Sequence, residues 1–245
     1  MNKKVVLITG SSIGLGASIA EKFAKNGYNV VINYLTHEKE ALNLQKNLEE
    51  KYNIHCICIE ADISEDEDVE YMAKTVISKF GHIDVLVNNA GISKDSVFED
   101  KNKEDFMRIM EVNVYGTFLV SKVFGKLMQD NQSGTIINIG STNGIDTYYE
   151  YGLDYDASKA AVINLTHNLA NHFAPFIRVN CVCPGWINTP MNKEMDEEFK
   201  KKEEEKILLN RFAEPEEIAN TVYFLSTEEA SFINDSIIRV DGGKK

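Results

Sequence analysis

The sequence predicts an α/β fold with a doubly wound, seven-stranded parallel sheet and helices on both of its faces. Short apolar runs alternate with longer amphipathic ones along the whole chain, which is typical of strand–helix–strand units. Several of the apolar runs lack the alternation of a half-exposed strand, which indicates burial on both sides. At 245 residues and 43% hydrophobic composition, the chain is large enough to bury such a core.

Seven apolar runs predict the strands, and five amphipathic patterns between them predict helices. The strands are expected in KKVVLITG, YNVVINYL, HCICIEADI, IDVLVNNAG, GTIINIGS, IRVNCVCPG and SIIRVDGG, in that order. The helices are expected over 15–25, 38–51, 65–80, 103–128 and 156–173. Because no repeat, low-complexity tract or linker divides the chain, residues 1–245 are expected to form a single domain.

One charged segment, NKEMDEEFKKKEEEK at residues 192–206, differs from the rest in composition. A charge run of this kind is typical of a solvated helix face. The segment also follows a strand end, where α/β folds place their ligands. The two interpretations are compatible, and a lid over about 190–210 is expected.

The charge of the chain bears on its partners. Its 26 basic and 38 acidic residues give a net charge of −12, which argues against nucleic-acid and anionic-membrane partners. The apolar run after the first lysines, Val5 to Ile8, is too short for a signal peptide. No stretch approaches the roughly 20 apolar residues of a membrane span. A cytoplasmic protein is therefore expected.

Four cysteines form two Cys-x-Cys pairs, Cys56/Cys58 and Cys181/Cys183, both in strand-like runs. Alternation along a strand places the two thiols of each pair on the same face. Structural zinc pairs usually have two or more intervening residues, so buried thiols are expected and no metal site.

The first strand leads into TGSSIGLG, residues 9–16, and then into a helix. Gly10, Gly14 and Gly16 permit a sharp turn and the close approach of a pyrophosphate to the helix N-terminus. Their spacing departs from the commonest dinucleotide fingerprint, and the Gly-Lys-Ser/Thr of a P-loop is missing. A simple tight connection is the alternative, but the position after the first strand favours a Rossmann-type dinucleotide site.

Four tyrosines lie in YYEYGLDYDASKAA, residues 148–161. Only Tyr155 has a lysine four residues later, Lys159, so the two side chains share one face of the predicted helix. A neighbouring ammonium is expected to lower the pKa of a tyrosine, which is ordinarily about 10. Tyr155 is therefore predicted to be a proton donor, whereas Tyr148, Tyr149 and Tyr151 are expected to pack or to line a pocket mouth.

Six motifs occur in the order of one known family. They are TGSSIGLG (9–16), NNAG (88–91), EVNVYG (111–116), INIGS (137–141), YDASK (155–159) and PGWINTP (184–190). In this order the chain resembles the single-domain branch of the short-chain dehydrogenase/reductase family, from Thr9 to the terminal IIRVDGG. The resemblance implies hydride transfer between a nicotinamide cofactor and a carbonyl or secondary alcohol.

The resemblance implies a catalytic tetrad. Tyr155 is expected to protonate the substrate carbonyl, and Ser141 to hydrogen-bond the same oxygen. Lys159 is expected to hold the nicotinamide ribose and to lower the pKa of Tyr155, and Asn113 to position a water that links Lys159 to solvent. The spacing from Ser141 to Tyr155 is one residue longer than is commonest in the family, so Thr142 is an alternative to Ser141.

The resemblance also assigns the residues around the cofactor, with Tyr155 and Lys159 among them. The phosphates and the adjacent ribose would contact Gly10, Ser12, Ile13, Gly14 and Gly16, and the adenine would lie between Asp62 and Ile63. The underside of the cofactor would rest on Asn89, Ala90 and Gly91, and the nicotinamide would be held by Pro184, Gly185, Ile187 and Thr189.

The expected cofactor is NADP rather than NAD. An acidic residue at the end of the second strand would bind the ribose 2′-hydroxyl of NAD, but Asn33 and Tyr34 occupy that place. Ile13 stands where NADP-preferring relatives often carry a basic residue, so His37 and Lys39 are the nearby cations.

Several stretches are similar to 3-oxoacyl-acyl-carrier-protein reductases of fatty-acid synthesis, among them NNAGISKDSVF and the closing VDGG. Reduction of a 3-oxoacyl thioester, possibly carried on acyl carrier protein, is therefore expected. The arginines with which such reductases dock the acidic carrier are missing, apart from Arg178, so a small ketone, sugar, polyol or steroid alcohol is the alternative substrate. A non-catalytic NADP-binding regulator is a remote alternative.

Two helices carry apolar faces that pack against a second subunit in relatives, where a tetramer is usual. These faces are Phe106, Ile109, Met110 and Val114 on one helix, and Val162, Leu165, Leu169 and Phe173 on the other. A homotetramer is expected, and helices that simply cover the sheet are the alternative.

Overall fold

A computed structural model describes residues 3–190 and 195–244. Its centre is a seven-stranded sheet in which every pairing is parallel, in the order β3-β2-β1-β4-β5-β6-β7. The strands are β1 (Val5–Ile8), β2 (Asn29–Tyr34), β3 (Cys56–Glu60), β4 (Val85–Asn88), β5 (Gly134–Ile139), β6 (Ile177–Pro184) and β7 (Ile237–Val240). The strand order reverses between β1 and β4, which is where doubly wound sheets open a ligand crevice.

Helices cover both faces of the sheet, because both faces of its strands are apolar. The helices are α1 (Gly14–Lys25), α2 (Glu38–Tyr52), α3 (Asp66–Phe80), α4 (Lys103–Met110), α5 (Thr117–Asp130), α6 (Leu153–Phe173), α7 (Glu197–Glu205) and α8 (Pro215–Ser226). One buried cluster joins the sheet to α1, α2 and α8 through side chains such as Phe23, Leu48 and Val222. A second cluster joins the other face to α3, α5 and α6. The predicted fold class is confirmed.

Two departures from the predicted helices have a local cause. The pattern over 103–128 is interrupted by a π-helical turn, Glu111–Gly116, which separates α4 from α5. Helix α8 was not predicted, although Glu214, Pro215 and Glu217 form a capping box with proline in the first turn. These signals mark a helix start even where the apolar period is short.

The cysteine pairs lie on strands that four other strands separate, Cys56 and Cys58 on β3 and Cys181 and Cys183 on β6. The Sγ atoms of Cys181 and Cys183 are 3.6 Å apart, as expected for two thiols on one face. This separation of the pairs is inconsistent with a single four-thiolate site. Among the described helices, none is both long and apolar enough to cross a membrane.

The predicted lid at 190–210 is partly described. Its residues 191–194 lie outside the described residues, and helix α7 occupies Glu197–Glu205 with Asp196 as its N-cap. No residue of α7 is fully buried, as the charge run predicts for a solvated helix.

Candidate active site

The turn after β1 has the backbone of a phosphate cradle. Gly10 and Gly14 have φ angles of 58° and 59°, a region that favours glycine. A Cβ atom at Gly16 would lie 2.5 Å from the Gly10 carbonyl oxygen, so the turn is closed by contact between its own glycines. Ile13 begins α1 without a side-chain cap, so the first N–H groups of the helix are left for another acceptor.

The NNAG segment after β4 is tied directly to this turn. Asn89 donates from Nδ2 to the carbonyl oxygens of Thr9 and Gly10, both at 2.9 Å. The backbone N–H groups of Asn89 and Ala90 both donate to Thr9 Oγ1 at 3.0 Å. A Cβ atom at Gly10 would lie 2.9 Å from Ala90 Cα. The predicted underside residues and the glycine turn are therefore one rigid unit at the strand reversal.

Asp62 and Ile63 lie at the same edge of the sheet, after β3, and the Asp62 carboxylate is already hydrogen-bonded within the protein. Its Oδ1 accepts from Ser64, and its Oδ2 accepts from Arg108 at 2.7 Å. Burial acts to raise the pKa of Asp62, but the hydrogen bonds from Ser64 and Arg108 outweigh it and the pKa is lowered. Ile63 is buried against Gly116 of the π-helical turn.

The segment after β6 faces the glycine turn from the other side. A Cβ atom at Gly14 would lie 3.8 Å from Thr189 Cβ, and Thr189 is held by a hydrogen bond to the Ile187 carbonyl. Gly185 continues the pairing of β6 with β7, and a Cβ atom there would lie 2.8 Å from Asp241 Cβ. Pro184 ends β6 itself. The predicted nicotinamide residues and the phosphate cradle thus line two sides of one crevice.

Tyr155 and Lys159 meet on one face of α6, as their spacing predicts. The Lys159 Nζ atom lies 5.5 Å from the centre of the Tyr155 ring and donates to the Ile139 carbonyl at 2.8 Å. Burial lowers the pKa of Lys159 to about 8. Burial also raises the pKa of Tyr155 to about 12, against a hydrogen bond with Ser141 that lowers it.

The lowered pKa that was predicted for Tyr155 is not found: the pKa is raised, and burial is the largest cause. Loss of water around both groups disfavours both charged forms, the phenolate and the ammonium.

Ser141 follows β5 and lies beside Tyr155. Its hydroxyl forms the hydrogen bond with Tyr155 and also accepts from the Asn143 backbone N–H at 3.2 Å. Thr142, the alternative from the spacing, is buried in the 3-10 turn Thr142–Gly144. The hydrogen bond with Tyr155 comes from Ser141, and this contact favours Ser141 over Thr142.

Asn113 lies in the π-helical turn and joins three segments. Its Nδ2 donates to the Ile92 carbonyl and to Ser158 Oγ, both at 2.9 Å, and its Oδ1 accepts from the Ile92 N–H at 2.8 Å. A Cβ atom at Gly91 would lie 3.3 Å from Asn113 Oδ1 and 3.4 Å from Lys159 Nζ. All four residues of the predicted tetrad are therefore brought together.

Sequence reasoning missed several residues that shape this site. Thr9 links the two turns, and Ser158 connects Asn113 to the Tyr155 carbonyl, to which it donates at 2.7 Å. The sequence placed Asn33 near the cofactor ribose but did not predict its contact with the glycine turn, where it is buried and accepts from the Gly10 N–H at 3.1 Å. A polar residue at the end of an apolar strand run, as at Thr9 and Asn33, was the available signal.

Comparison with known proteins agrees with this geometry. Residues 10–245 match the family model described as enoyl-(acyl carrier protein) reductase. The 3-oxoacyl-[acyl-carrier-protein] reductase FabG of Aquifex aeolicus is 38% identical over 241 residues, which cover 98% of this chain and 96% of that protein. The FabG proteins of Staphylococcus epidermidis and Thermotoga maritima are 37% and 34% identical, over 99% and 98% of this chain and 99% and 97% of their own.

The family match covers the glycine turn, the tetrad and both edges of the crevice in one continuous alignment. The relatives cover the same span at more than a third identity. The chain therefore belongs to the short-chain dehydrogenase/reductase family of NAD(P)-dependent oxidoreductases that act on CH–OH and carbonyl groups.

Proposed function

We propose that this oxidoreductase reduces the 3-oxo group of an acyl thioester with NADPH, using Tyr155, Ser141, Lys159 and Asn113. The observation that carries the proposal is the meeting of Tyr155, hydrogen-bonded to Ser141, with Lys159 at one end of the sheet. The printed names of the relatives, all 3-oxoacyl-[acyl-carrier-protein] reductases, supply the substrate class.

The crevice fits a dinucleotide. The glycine turn packs so closely on itself and on Ala90 that side chains at Gly10 and Gly16 would clash, and the uncapped start of α1 offers N–H donors to a phosphate. Bound NAD(P)H would supply a hydride to the carbonyl carbon. The phosphates would lie on Gly10, Ser12, Ile13, Gly14 and Gly16, the adenine beside Asp62 and Ile63, the underside on Asn89, Ala90 and Gly91, and the nicotinamide beside Pro184, Gly185, Ile187 and Thr189.

Tyr155 supplies the proton of the reduction. With a pKa well above 7 it carries its proton at neutral pH, and it can donate that proton as negative charge develops on the substrate oxygen. The Ser141 hydroxyl donates a second hydrogen bond to the same oxygen, which stabilises that charge in a site with little water.

Lys159 and Asn113 restore the proton to Tyr155. Lys159 holds the ribose hydroxyls of the cofactor, and its pKa near neutrality allows it to gain or lose a proton easily. Asn113 meets Lys159 across Gly91 and positions a water between Lys159 and solvent. The hydrogen bonds from Asn113 to Ile92 keep this turn in place.

NADP is favoured over NAD by the residues after β2. Asn33 is buried and hydrogen-bonded to the Gly10 N–H and the Ala61 carbonyl. Its side chain is an uncharged amide, so it lacks the carboxylate that would bind the ribose 2′-hydroxyl of NAD. Residues 35–40, after β2, are exposed and include His37 and Lys39, and the Lys39 ammonium attracts a 2′-phosphate. We expect a lower KM for NADPH than for NADH, and Lys39→Ala to narrow that difference.

Arg178 was the one arginine that the sequence offered for docking an acyl carrier protein. Arg178 donates to the carbonyl oxygens of Ile233 and Leu225 and to Thr135, so it serves the fold and is not free to dock an acidic protein. A carrier protein would therefore need another surface, and a coenzyme A thioester needs none.

The proposal also covers the domain organisation, the cytoplasmic location and the assembly of the chain. We propose one NAD(P)-binding domain over residues 1–245, with α7 as part of a substrate lid at about 190–210. Four free thiols fit the reducing conditions of the cytoplasm. A homotetramer is supported by an exposed apolar groove lined by Met107, Met110, Val114, Tyr115, Phe118 and Leu165.

The groove corrects the predicted contact faces in part. Ile109, Val162, Leu169 and Phe173 are buried in the core of the chain itself and are unavailable to a partner. Met110, Val114 and Leu165 remain at the surface groove, where Met107, Tyr115 and Phe118 join them. One side of each helix packs against the sheet, and the other side remains at the surface.

Absorbance of reduced nicotinamide with acetoacetyl-CoA tests the reaction. We expect oxidation of NADPH, faster than of NADH, and loss of at least about 1000-fold in kcat for Tyr155→Phe, which lacks the proton donor. The control is NADPH binding by this variant, which shows that the fold and the phosphate cradle are intact. Turnover of ketones or alcohols without turnover of the thioester would replace the proposed substrate, and full activity of Tyr155→Phe would disprove the proton donor.

A further inference from the structure

Three aromatic rings from separate segments meet beside the proposed site. Tyr149, Trp186 and Phe199, here called the aromatic triad, lie on the loop before α6, after β6 and on α7. Ring centres are 6.0 Å apart for Tyr149 and Trp186, 6.2 Å for Tyr149 and Phe199, and 6.2 Å for Trp186 and Phe199. All three pairs pack edge to face, which is a favourable geometry for aromatic rings.

Two rings of the triad, those of Trp186 and Tyr149, have further contacts outside it. Trp186 stacks on Phe212 at 5.5 Å with an interplanar angle of 13°, and its Nε1 donates to Glu203 of α7 at 3.2 Å. The Tyr149 hydroxyl donates to Asp95 at 3.1 Å. The triad is therefore a fixed wall between the loop and α7.

The triad is connected to the start of α6, next to the proposed proton donor. The Tyr149 N–H donates to Asp156 Oδ2 at 2.8 Å, and Asp156 is the neighbour of Tyr155 on α6. Trp186 directly follows Gly185, which is bound to β7. Helix α7 has no fully buried residue, and it contacts the other two rings of the triad through Phe199, while its Glu203 accepts the Trp186 hydrogen bond.

We propose that the aromatic triad determines substrate specificity by limiting the length of the group attached to the reacting carbonyl. This inference rests on the proposed function. The rings contact one another across the gap between the loop and α7, so a long acyl chain that leaves the site on this side must separate them. A short acyl group leaves their contacts intact, and short-chain substrates are therefore preferred.

Truncation of the triad tests whether it limits the length of the acyl chain. The variants are Tyr149→Ala and Phe199→Ala, and the matched control is Tyr148→Ala, whose side chain is 87% exposed one residue from the triad. Turnover of 3-oxoacyl N-acetylcysteamine thioesters with short and long acyl chains is measured with NADPH. We expect the ratio of kcat/KM for the long over the short thioester to rise by about tenfold or more in both triad variants, and to stay unchanged in the control.

Quenching of tryptophan fluorescence tests the aromatic triad without turnover. Trp186 is the one tryptophan of the chain, so its emission reports on the triad alone. Acrylamide quenching is expected to rise in Phe199→Ala and Tyr149→Ala but not in Tyr148→Ala. In the wild-type protein with NADP, a long 3-hydroxyacyl thioester is expected to increase quenching, whereas a short one is not.

The outcomes separate this inference from the proposed function. An unchanged length ratio in both triad variants overturns the specificity role, even if thioesters are turned over. If the wild-type protein reduces methyl ketones but no thioester, the substrate class fails, and the same ratio measured on short and long ketones tests the triad. Equal quenching by long and short ligands also counts against it.

Discussion

At the scale of single residues, the environment decides the chemistry of the proposed tetrad. Tyr155 and Lys159 approach each other on α6, yet burial raises the pKa of the first and lowers that of the second. Both groups are thereby shifted toward their neutral forms. A bound cofactor with charged phosphates would change this balance, and the chain by itself keeps the proton on Tyr155.

The stability of the ligand-free protein is expected to depend on pH through Lys159. Between about 8, its folded pKa, and 10.5, its ordinary value, the unfolded chain binds the proton that the folded chain does not. The free energy of unfolding therefore rises with pH across this window, by roughly 3 kcal/mol at most relative to Lys159→Met. Urea unfolding of both proteins at several pH values measures the difference, and parallel curves would contradict the lowered pKa.

At the scale of elements, two turns do most of the positioning. The π-helical turn Glu111–Gly116 presents Asn113 to Ile92 and Ser158, and the glycine turn after β1 closes on Asn89. The π-helical turn does not follow from helical periodicity, because its contacts are with segments far along the chain.

Replacement of Gly16 by alanine is expected to damage the cofactor cradle. The added methyl group would lie 2.5 Å from the Gly10 carbonyl oxygen and 2.6 Å from Asn89 Nδ2, so the backbone must shift. We expect a loss of about 1–3 kcal/mol in stability and of most NADPH affinity. Thermal unfolding with and without NADPH measures both effects. Ser18→Ala, in the same helix, is the control, and normal NADPH binding by Gly16→Ala would disprove the close packing.

A buried ion pair joins the loop before α4 to the first turn of α6. Lys101 donates to Asp154 Oδ1 at 2.7 Å, and the Asp154 side chain is fully buried next to Tyr155. Lys101→Met leaves that carboxylate unpaired and is expected to cost about 3–5 kcal/mol. The exposed pair of Lys94 with Asp105 is the comparison, and Lys94→Met is expected to cost less than about 1 kcal/mol. Equal losses in urea unfolding would contradict this difference.

At the scale of the whole molecule, the parallel sheet collects the site at one edge. Because β1 and β4 are neighbours at the point where the strand order reverses, Thr9 and Asn89 meet although 80 positions separate them. The same topology leaves an apolar groove between α4, α5 and α6 at the surface.

The groove is expected to be covered in the assembled protein. Phe118→Glu places a charge in it, so the oligomer is expected to dissociate into smaller species by sedimentation velocity. Tyr71→Glu, on the exposed side of α3 and outside the groove, is the control and should leave the assembly unchanged. A monomeric wild-type protein, or an intact Phe118→Glu oligomer, would show that this face does not hold the subunits together.

Much of the fold and of the candidate site was predictable from the sequence. All seven strands occur in the predicted runs, because fully apolar segments bounded by turn residues have few other uses in a chain of this size. The spacing of Tyr155 and Lys159 was sufficient to select one tyrosine of four, since a helix places the fourth residue on the same face.

The order of the strands, the glycine turn and the pairing of Tyr155 with Lys159 could be predicted from the sequence, because they depend on local period and spacing. The raised pKa of Tyr155, the closure of the aromatic triad and the engagement of Arg178 became apparent only in the folded chain. These properties depend on how much water is excluded and on which distant side chains meet, and both are set by packing between segments remote in sequence.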